Sequence, residues 1–184
     1  MIRRRKMGLA YGVIPPEVRG FMLEEIDLDF ANGSIYISNY LNERGSIAWP
    51  DLLREAATNG NDDSLATAIR QNGYLKSHTQ RRKPSGGFTT AAVPHTAHET
   101  MGEGEFNRYY TRGLCRFAIA NGVSSLEVYR AKGVENPRPA SQAKIGLLVD
   151  PSLILADLRV TQGVEPALGL PPGPNSGLTL RIPS

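Results

Sequence analysis

The spacing of apolar residues near the start of the chain predicts a β-hairpin. Between residues 24 and 41, Ile26, Leu28 and Phe30 alternate with acidic residues, Ala31–Gly33 supplies a turn, and the apolar rhythm then resumes. Alternation on both sides of an Asn-Gly pair is typical of two antiparallel strands with one buried face. We therefore expect a hairpin over residues 24–41.

Two short helices are predicted next. Pro50 suits the first position of a helix, because the N–H that proline lacks needs no partner there, and Gly60 ends the segment. Asn61 is a good cap for a second helix, which Gly73 would end. Two helices with a short link also resemble a helix-turn-helix, so this pattern alone leaves DNA binding open.

The longest helix is predicted over residues 97–121. Thr96 and Glu99 have the spacing of a capping box, and Asn121-Gly122 would end the helix. Apolar residues recur every three or four positions along it, so one face of the helix should be buried. The residues of this apolar stripe are Phe106, Tyr109, Tyr110, Leu114, Phe117 and Ala118.

The other predicted elements are short. Residues 126–130 favour a strand, residues 145–149 a buried strand or a helix end, and residues 150–158 a short helix. Apolar and polar residues alternate over residues 178–182, which predicts a last strand. Residues 74–95 are basic and contain a Pro-Ser-Gly-Gly run, so we expect an exposed loop or a second arm there.

Together these elements predict an α+β fold. A β-hairpin and a few further strands would pack against three or four helices in a single domain, residues 21–168. Extended arms would flank this domain. They are a basic N-terminal arm, residues 1–20, and a Pro/Gly-rich C-terminal tail, residues 169–184, which ends in a strand. The 19 glycines and 13 prolines among 184 residues agree with that much irregular chain.

Composition narrows the setting of the protein. A net charge of +3 is mildly basic, far from that of a dedicated DNA-coating protein. The single cysteine, Cys115, excludes an intrachain disulfide and suits a reducing compartment. No apolar run approaches the roughly 20 residues that a membrane helix needs, and no apolar segment of a signal peptide follows the basic start. We expect a soluble protein made in the cytoplasm, with no membrane partner.

Three groups of side chains suggest chemistry, but none of them predicts it strongly. Asp27 and Asp29 would share a strand face and could hold magnesium, or they could form the solvated face of the hairpin. Glu127 and Lys132 lie too far apart for a nuclease strand in which lysine follows two residues after the acid. Cys115 could be a nucleophile, but a small buried core residue is the interpretation we adopt.

The histidines do not predict a metal site. His95, His98 and Glu99 are close in sequence, but they lack the four-residue spacing of a helical histidine pair. Packing at the helix terminus is the role we expect for them. From these patterns we predict that the protein is not an enzyme, with no catalytic residue, no metal site and no cofactor.

Clustered basic residues are the candidates for partner contact. Residues 3–6 carry four consecutive positive charges, which repel one another, so an ordered arm would need a partner to hold it. Three arginines recur every four residues on the long helix and could bind a partner's phosphate or carboxylate, or could pair with Glu103 and Glu105 on a solvated face. The predicted partner-binding residues are Arg3, Arg4, Arg5, Lys6, Arg81, Arg82, Lys83, Arg108, Arg112 and Arg116.

Five segments spread over most of the chain carry a resemblance. They are Tyr36–Ser38, Arg81–Gly87, Gly104–Tyr110, Val128–Lys132 and Asn136–Arg138. Together they resemble an uncharacterised protein family found in phages and prophages. The resemblance implies a phage setting and favours a virion component, but it assigns no activity and no catalytic residue.

Our leading hypothesis is a non-enzymatic phage virion protein, capsid-associated or a head accessory component of the cement or decoration type. Its partners would be other virion proteins, such as capsid subunits, or further copies of itself, and its location the virion. Arms would bury surface against neighbours, many weak contacts would add through avidity, and salt would weaken the assembly. Two alternatives remain: a nucleic-acid-binding protein that uses the basic clusters, and a metal-dependent nuclease that uses Asp27 and Asp29.

Overall fold

The structure confirms the α+β class. It is a computed structural model that describes residues 8–184, so Arg3, Arg4, Arg5 and Lys6 lie outside the described residues. Within this range the chain forms helices and two small antiparallel sheets. No helix in the range has both the length and the apolar character needed to cross a membrane.

Most elements are joined by short connections, and the longest connection, residues 161–177, joins the last helix to the last strand. In chain order the elements are α1 (Pro16–Ala31), α2 (Glu43–Asn59), α3 (Asp62–Gln71), β1 (His78–Arg82), β2 (Phe88–Ala92), α4 (Ala97–Ala120), β3 (Leu126–Arg130), α5 (Pro139–Gln142), β4 (Leu148–Val149), α6 (Pro151–Val160) and β5 (Leu178–Arg181).

Helix α4 is the centre of the core. Helices α1, α3 and α6 pack around it, and β5 lies against it as well. Two glycines allow the close approach of its neighbours. A Cβ atom on Gly113 would lie 2.6 Å from Met22 Cγ in α1, and one on Gly102 would lie 2.7 Å from the carbonyl oxygen of Asp62 in α3. The predicted apolar stripe is therefore buried on several sides by helices that nearly touch the α4 backbone.

The three-stranded sheet covers one side of α4. Its strand order is β4-β3-β5 and both pairings are antiparallel, with Val128 opposite Leu180 and Leu126 opposite Val149. Leu126, Val128, Leu178 and Leu180 are fully buried, so one face of the sheet forms part of the core. The predicted strands over residues 126–130 and 178–182 are confirmed.

The predicted hairpin over residues 24–41 is wrong, because this region begins within α1. The same sequence also fits a helical period: Val18, Met22 and Ile26 recur every four residues and are buried. Leu28 and Phe30, which suggested an alternating strand, are largely exposed at 40% and 56%. The helix begins at Pro16, so the described part of the predicted N-terminal arm ends before residue 16.

The hairpin occurs instead in the predicted loop over residues 74–95. Strands β1 and β2 pair antiparallel, with Arg82 opposite Phe88, around a turn that includes Gly86 and Gly87, both with positive φ. Almost every side chain of these strands is exposed. No alternation of apolar and polar residues was therefore present to reveal them.

The helix predictions hold with changed boundaries. Helix α2 begins at Glu43, seven residues before the predicted start, so Pro50 lies inside it. Helix α3 has the predicted Asn61 cap, and α4 covers the predicted range. The Thr96 side chain makes no capping hydrogen bond, so the predicted capping box does not form.

Residues 8–15 and the C-terminal tail pack on the rest of the chain. The Leu9 N–H donates to Asp62 Oδ2 at 2.8 Å, and the Tyr11 ring contacts Tyr110 with 4.6 Å between ring centroids. In the tail, Leu170 is buried and β5 completes the sheet. These segments therefore bury surface within the chain itself.

Candidate functional site

The three arginines predicted on the long helix, Arg108, Arg112 and Arg116, form a basic ridge on α4, but the middle one is buried. Arg112 is 1% exposed, and its guanidinium lies 2.7 Å from Glu25 Oε2 and 2.6 Å from Asp29 Oδ2. Arg159 of α6 donates to both oxygens of Glu25 at 3.0 and 2.6 Å. The Tyr109 hydroxyl donates to Asp29 Oδ2 at 2.8 Å. Arg112 therefore joins α1 to α4 in a buried ion network and is not exposed to a partner, contrary to our prediction.

The other two ridge arginines also bond within the chain. Arg116 lies 2.7 Å from Glu24 Oε2 on α1. Arg108 donates to the backbone carbonyl oxygens of Leu158 and Thr161 at 3.1 and 2.8 Å. The acidic partners of Arg112 and Arg116 lie on α1. The alternative interpretation had expected partners on α4 itself, Glu103 and Glu105. The three arginines thus serve packing between helices.

The ion network favours the charged form of Glu25. Burial of this carboxyl raises its pKa, but hydrogen bonds from Arg159 and Arg112 oppose that effect and bring the pKa below its ordinary value. Glu25 is 0% exposed, so its charge has no solvent to stabilise it and depends on Arg112, Arg159 and Arg116, whose guanidinium lies 3.3 Å from Glu25 Oε1.

The carboxylates that suggested metal chemistry have cationic partners. Asp27 pairs with Arg54 at 2.8 Å, Asp29 belongs to the buried network, and Glu127 pairs with Arg181 at 2.9 Å. Across residues 8–184 no group of three histidine, cysteine or acidic side chains is placed to hold a metal ion. The strand face shared by Asp27 and Asp29, on which the nuclease hypothesis depended, is absent because both lie on α1.

Cys115 and the histidines occupy structural positions. Cys115 is fully buried, and burial raises the pKa of its thiol to about 12, as expected of a core residue. His98 is buried near the start of α4, with Nε2 3.7 Å from Glu99 Oε1, which agrees with the predicted packing role. His95 is exposed just before the helix.

The β1–β2 hairpin carries the second predicted basic cluster. Arg81, Arg82 and Lys83 are exposed at its tip. Arg82 lies opposite Phe88, and Arg81 opposite Thr89, so the two arginines extend from opposite faces of the hairpin. Phe88 is 69% exposed. The tip thus presents three cations and an aromatic ring to solvent.

This hairpin receives little support from the rest of the protein. Strands β1 and β2 pack mainly on each other, and Thr79 and Ala91 are the only strand residues with partly buried side chains. At its base, the Lys76 N–H donates to the Tyr40 carbonyl oxygen at 2.8 Å. Isolated two-stranded hairpins are marginally stable in water. Contact with a partner would therefore be expected to stabilise it.

A pocket beside α4 is a second candidate site, and sequence patterns did not reveal it. Its volume is about 270 Å³, and its wall is mainly apolar. The wall combines a loop after α1, helix α2, helix α4 and two segments after α6, which are far apart in sequence. The wall contains aromatic residues, prolines and one acidic residue of α4, among them Tyr36, Tyr40, Trp49, Glu105, Pro171 and Pro174.

Comparison with known proteins gives no relative for this chain. Searches against protein-family models, curated proteins and solved structures found no match. The interpretation of both candidate sites therefore depends on their own geometry and charge.

Proposed function

We propose that the protein is a non-enzymatic structural component of a phage virion, capsid-associated or a head accessory protein, and that it binds neighbouring virion proteins through the β1–β2 hairpin. The phage setting comes from the sequence resemblance described above. The observation that carries the binding role is the exposed hairpin itself, basic at its tip and supported mainly by its own two strands.

The chemistry of the tip favours an acidic protein surface as its target. Arg81 and Arg82 can each bind a carboxylate with two parallel hydrogen bonds, and they extend from opposite faces of the hairpin. Phe88 beside Arg82 supplies the kind of aromatic anchor that often dominates binding energy at interfaces. Because the three charges are exposed, binding should weaken as salt is raised.

The Arg3–Lys6 cluster is a second proposed contact, which would add to the first through avidity. A test of this cluster must spare the residues that follow it. Leu9 is buried and Tyr11 packs against Phe106 with 5.2 Å between ring centroids, so deletion beyond residue 7 would damage the core. Removal of residues 2–7 is the appropriate variant.

Charge reversal at the hairpin tip tests the proposal. A tagged R81E/R82E/K83E variant would be supplied during particle production, and its amount in purified particles compared with that of the wild type. We expect a loss of about tenfold or more, because three exposed attractive contacts become repulsive. A matched variant with reversed charges at three exposed arginines elsewhere should be incorporated normally. Its substitutions are R44E, R70E and R138E.

The two variants change net charge equally, so a general charge effect would reduce both. Equal incorporation of the tip variant and the wild type would refute the hairpin contact. Equal loss in the tip variant and the matched variant would refute its specificity. Circular dichroism of each variant would confirm that the fold is intact.

Nucleic-acid binding is the second candidate, and the pairing of Arg82 with the exposed Phe88 is the observation that favours it. Single-stranded nucleic acid is bound by basic surfaces with aromatic rings on which bases stack. This hypothesis predicts a gel shift with single-stranded DNA at low salt, and an affinity that falls steeply as salt rises. No shift at low salt would exclude it.

A further inference from the structure

We propose that the pocket beside α4 binds the side chain of a lysine from a partner protein, with the Glu105 carboxylate contacting the ammonium group. This inference goes beyond the proposed function and does not depend on it. It is based on an apolar pocket whose lining includes the partly buried Glu105 carboxylate, which makes no hydrogen bond or ion pair with residues 8–184.

The pocket has a wall held in place by packing. Trp49 is fully buried, and its indole N–H donates to the Tyr36 carbonyl oxygen at 2.9 Å. Gly163, which has a φ of +69°, lies so close to Tyr36 that an added Cβ atom would overlap the ring. Pro171 and Pro174 form another side. Because prolines and packed aromatic rings have few alternative rotamers, a ligand would lose little binding energy in ordering this wall.

The unsatisfied group in the wall is an acceptor. Glu105 makes no hydrogen bond and no ion pair within residues 8–184, although it is partly buried. Arg108 also lines the pocket, but its guanidinium donates to carbonyl oxygens of α6 and the segment after it. The exposed Glu165 adds a second negative charge to the lining. A ligand with hydrogen-bond donors and a positive charge would therefore satisfy the ionised carboxylate.

A lysine side chain matches both parts of the pocket. Its four-carbon stem can lie along the aromatic and proline wall, while its compact ammonium group reaches a single carboxylate. An anionic ligand would be repelled by Glu105 and Glu165. An uncharged apolar ligand would leave the carboxylate without a partner in a partly dry site, which costs binding energy.

A bound lysine should change the protonation of Glu105. Burial raises its pKa to about 7, and the positive charge of Arg108 opposes this rise. The other charged groups that act on it are Asp29, which raises the pKa, and Arg112, which lowers it. A bound ammonium group would stabilise the charged carboxylate and release the proton.

Trp49 provides a local probe, because it is the only tryptophan in the chain and lines the pocket. Its fluorescence and its indole N–H resonance would be followed during titration with N-acetyl-lysine-N-methylamide at constant ionic strength. The uncharged control is N-acetyl-norleucine-N-methylamide, which has a similar apolar stem. We expect a saturable change with the lysine compound and at least tenfold weaker binding of the control.

Glu105→Gln keeps the shape of the side chain and removes its charge. We expect this variant to bind the lysine compound at least tenfold more weakly than the wild type. Equal affinity of the two proteins, equal binding of the norleucine compound, or no saturable change with either compound would each overturn the proposal.

A second variant avoids the charged residue altogether. A Cβ atom on Gly104 would lie 3.6 Å from Pro174, an ordinary contact, so Gly104→Ala narrows the pocket without a clash. Alanine also favours the helix more than glycine does, so the variant should fold. We expect weaker binding of the lysine compound, and unchanged affinity would contradict this location for the ligand.

The pH dependence gives an independent readout. Between pH 5 and 7 the wild-type affinity for the lysine compound should rise by up to about tenfold per pH unit and then level off, because the lysine stays charged throughout. Glu105→Gln should show no such rise. A flat profile in the wild type would overturn the role of the carboxylate.

Discussion

Replacing Arg112 by methionine tests whether the buried ion network stabilises the packing of α1 and α6 on α4. Methionine retains much of the length of arginine but has no N–H donor. In the wild type, Arg112 donates to both oxygens of Asp29 at 2.6 and 3.0 Å and to Glu25 at 2.9 Å. After the change, Glu25 would still be bound by Arg159, whereas Asp29 would keep only uncharged donors.

The expected loss of unfolding free energy is about 3 kcal/mol. Removing one partner of a buried ion pair typically costs about 3–5 kcal/mol, because it leaves a buried charge without compensation. We choose the lower end because the remaining donors still reach both carboxylates. Domains are stable by only about 5–15 kcal/mol, so the loss should be easily measured by urea unfolding followed by circular dichroism at pH 7.

Two further variants separate the charge effect from lost packing. Adding Asp29→Asn to Arg112→Met removes the uncompensated charge and should restore about 1–2 kcal/mol. Arg54→Met breaks the ion pair with Asp27, in which the Arg54 side chain is 30% exposed and the Asp27 side chain 60%. Because the pair is exposed, the loss of unfolding free energy should be less than about 1 kcal/mol. The reasoning would be refuted by a loss in Arg112→Met no larger than that in Arg54→Met, or by no recovery in the double variant.

Three other predictions concern stability and local order. Burial raises the pKa of Asp62 to about 6, so the folded state binds more protons than the unfolded state between about pH 4 and 6. As the pH rises from about 4 to 6, the contribution of Asp62 to the unfolding free energy should therefore fall by up to about 3 kcal/mol, and urea unfolding of Asp62→Asn should lack this decline. A Cβ atom at position 113 would lie 2.6 Å from Met22 Cγ, so Gly113→Ala should lower the unfolding free energy by about 1–3 kcal/mol. Gly104→Ala should leave it unchanged, and thermal unfolding would measure both. Hydrogen exchange at the β1–β2 amides should be fast in the isolated protein and at least tenfold slower in particles. Equal rates in both would contradict a contact between the hairpin and a neighbouring virion protein.

The sequence predicted elements whose signals are local. The apolar stripe of α4 depends on spacing within one helix, and the Asn61 cap of α3 depends on a hydrogen bond to Ser64 three residues away. The region from residue 24 onward was mispredicted because its alternation also fits a helix. The contacts that pair the buried Glu25 and Asp29 are made by Arg112 and Arg159, more than 80 residues away in the chain.

The two candidate sites differ in how far the sequence could reveal them. The cations at Arg81–Lys83 were found because they cluster in the chain. The strands that carry them lack alternation, because neither face of this hairpin is buried in the protein. The pocket could not be predicted at all, since Tyr36, Glu105 and Pro171 meet only after folding. An acid on a mostly polar part of a helix gives no sign that it lacks a partner.

The two described basic clusters thus differ in a way that the sequence could not reveal. On α4, arginines are bound by carboxylates and carbonyl oxygens of the same chain, and the Arg112 pairs are shielded from salt because they are buried. At the hairpin tip, Arg81, Arg82 and Lys83 are exposed, so mobile ions screen them fully. Rising salt should therefore weaken contacts made by the hairpin well before it weakens the fold. Of these two clusters, the hairpin tip, and not the ridge on α4, is therefore the one that we propose as a contact with another molecule.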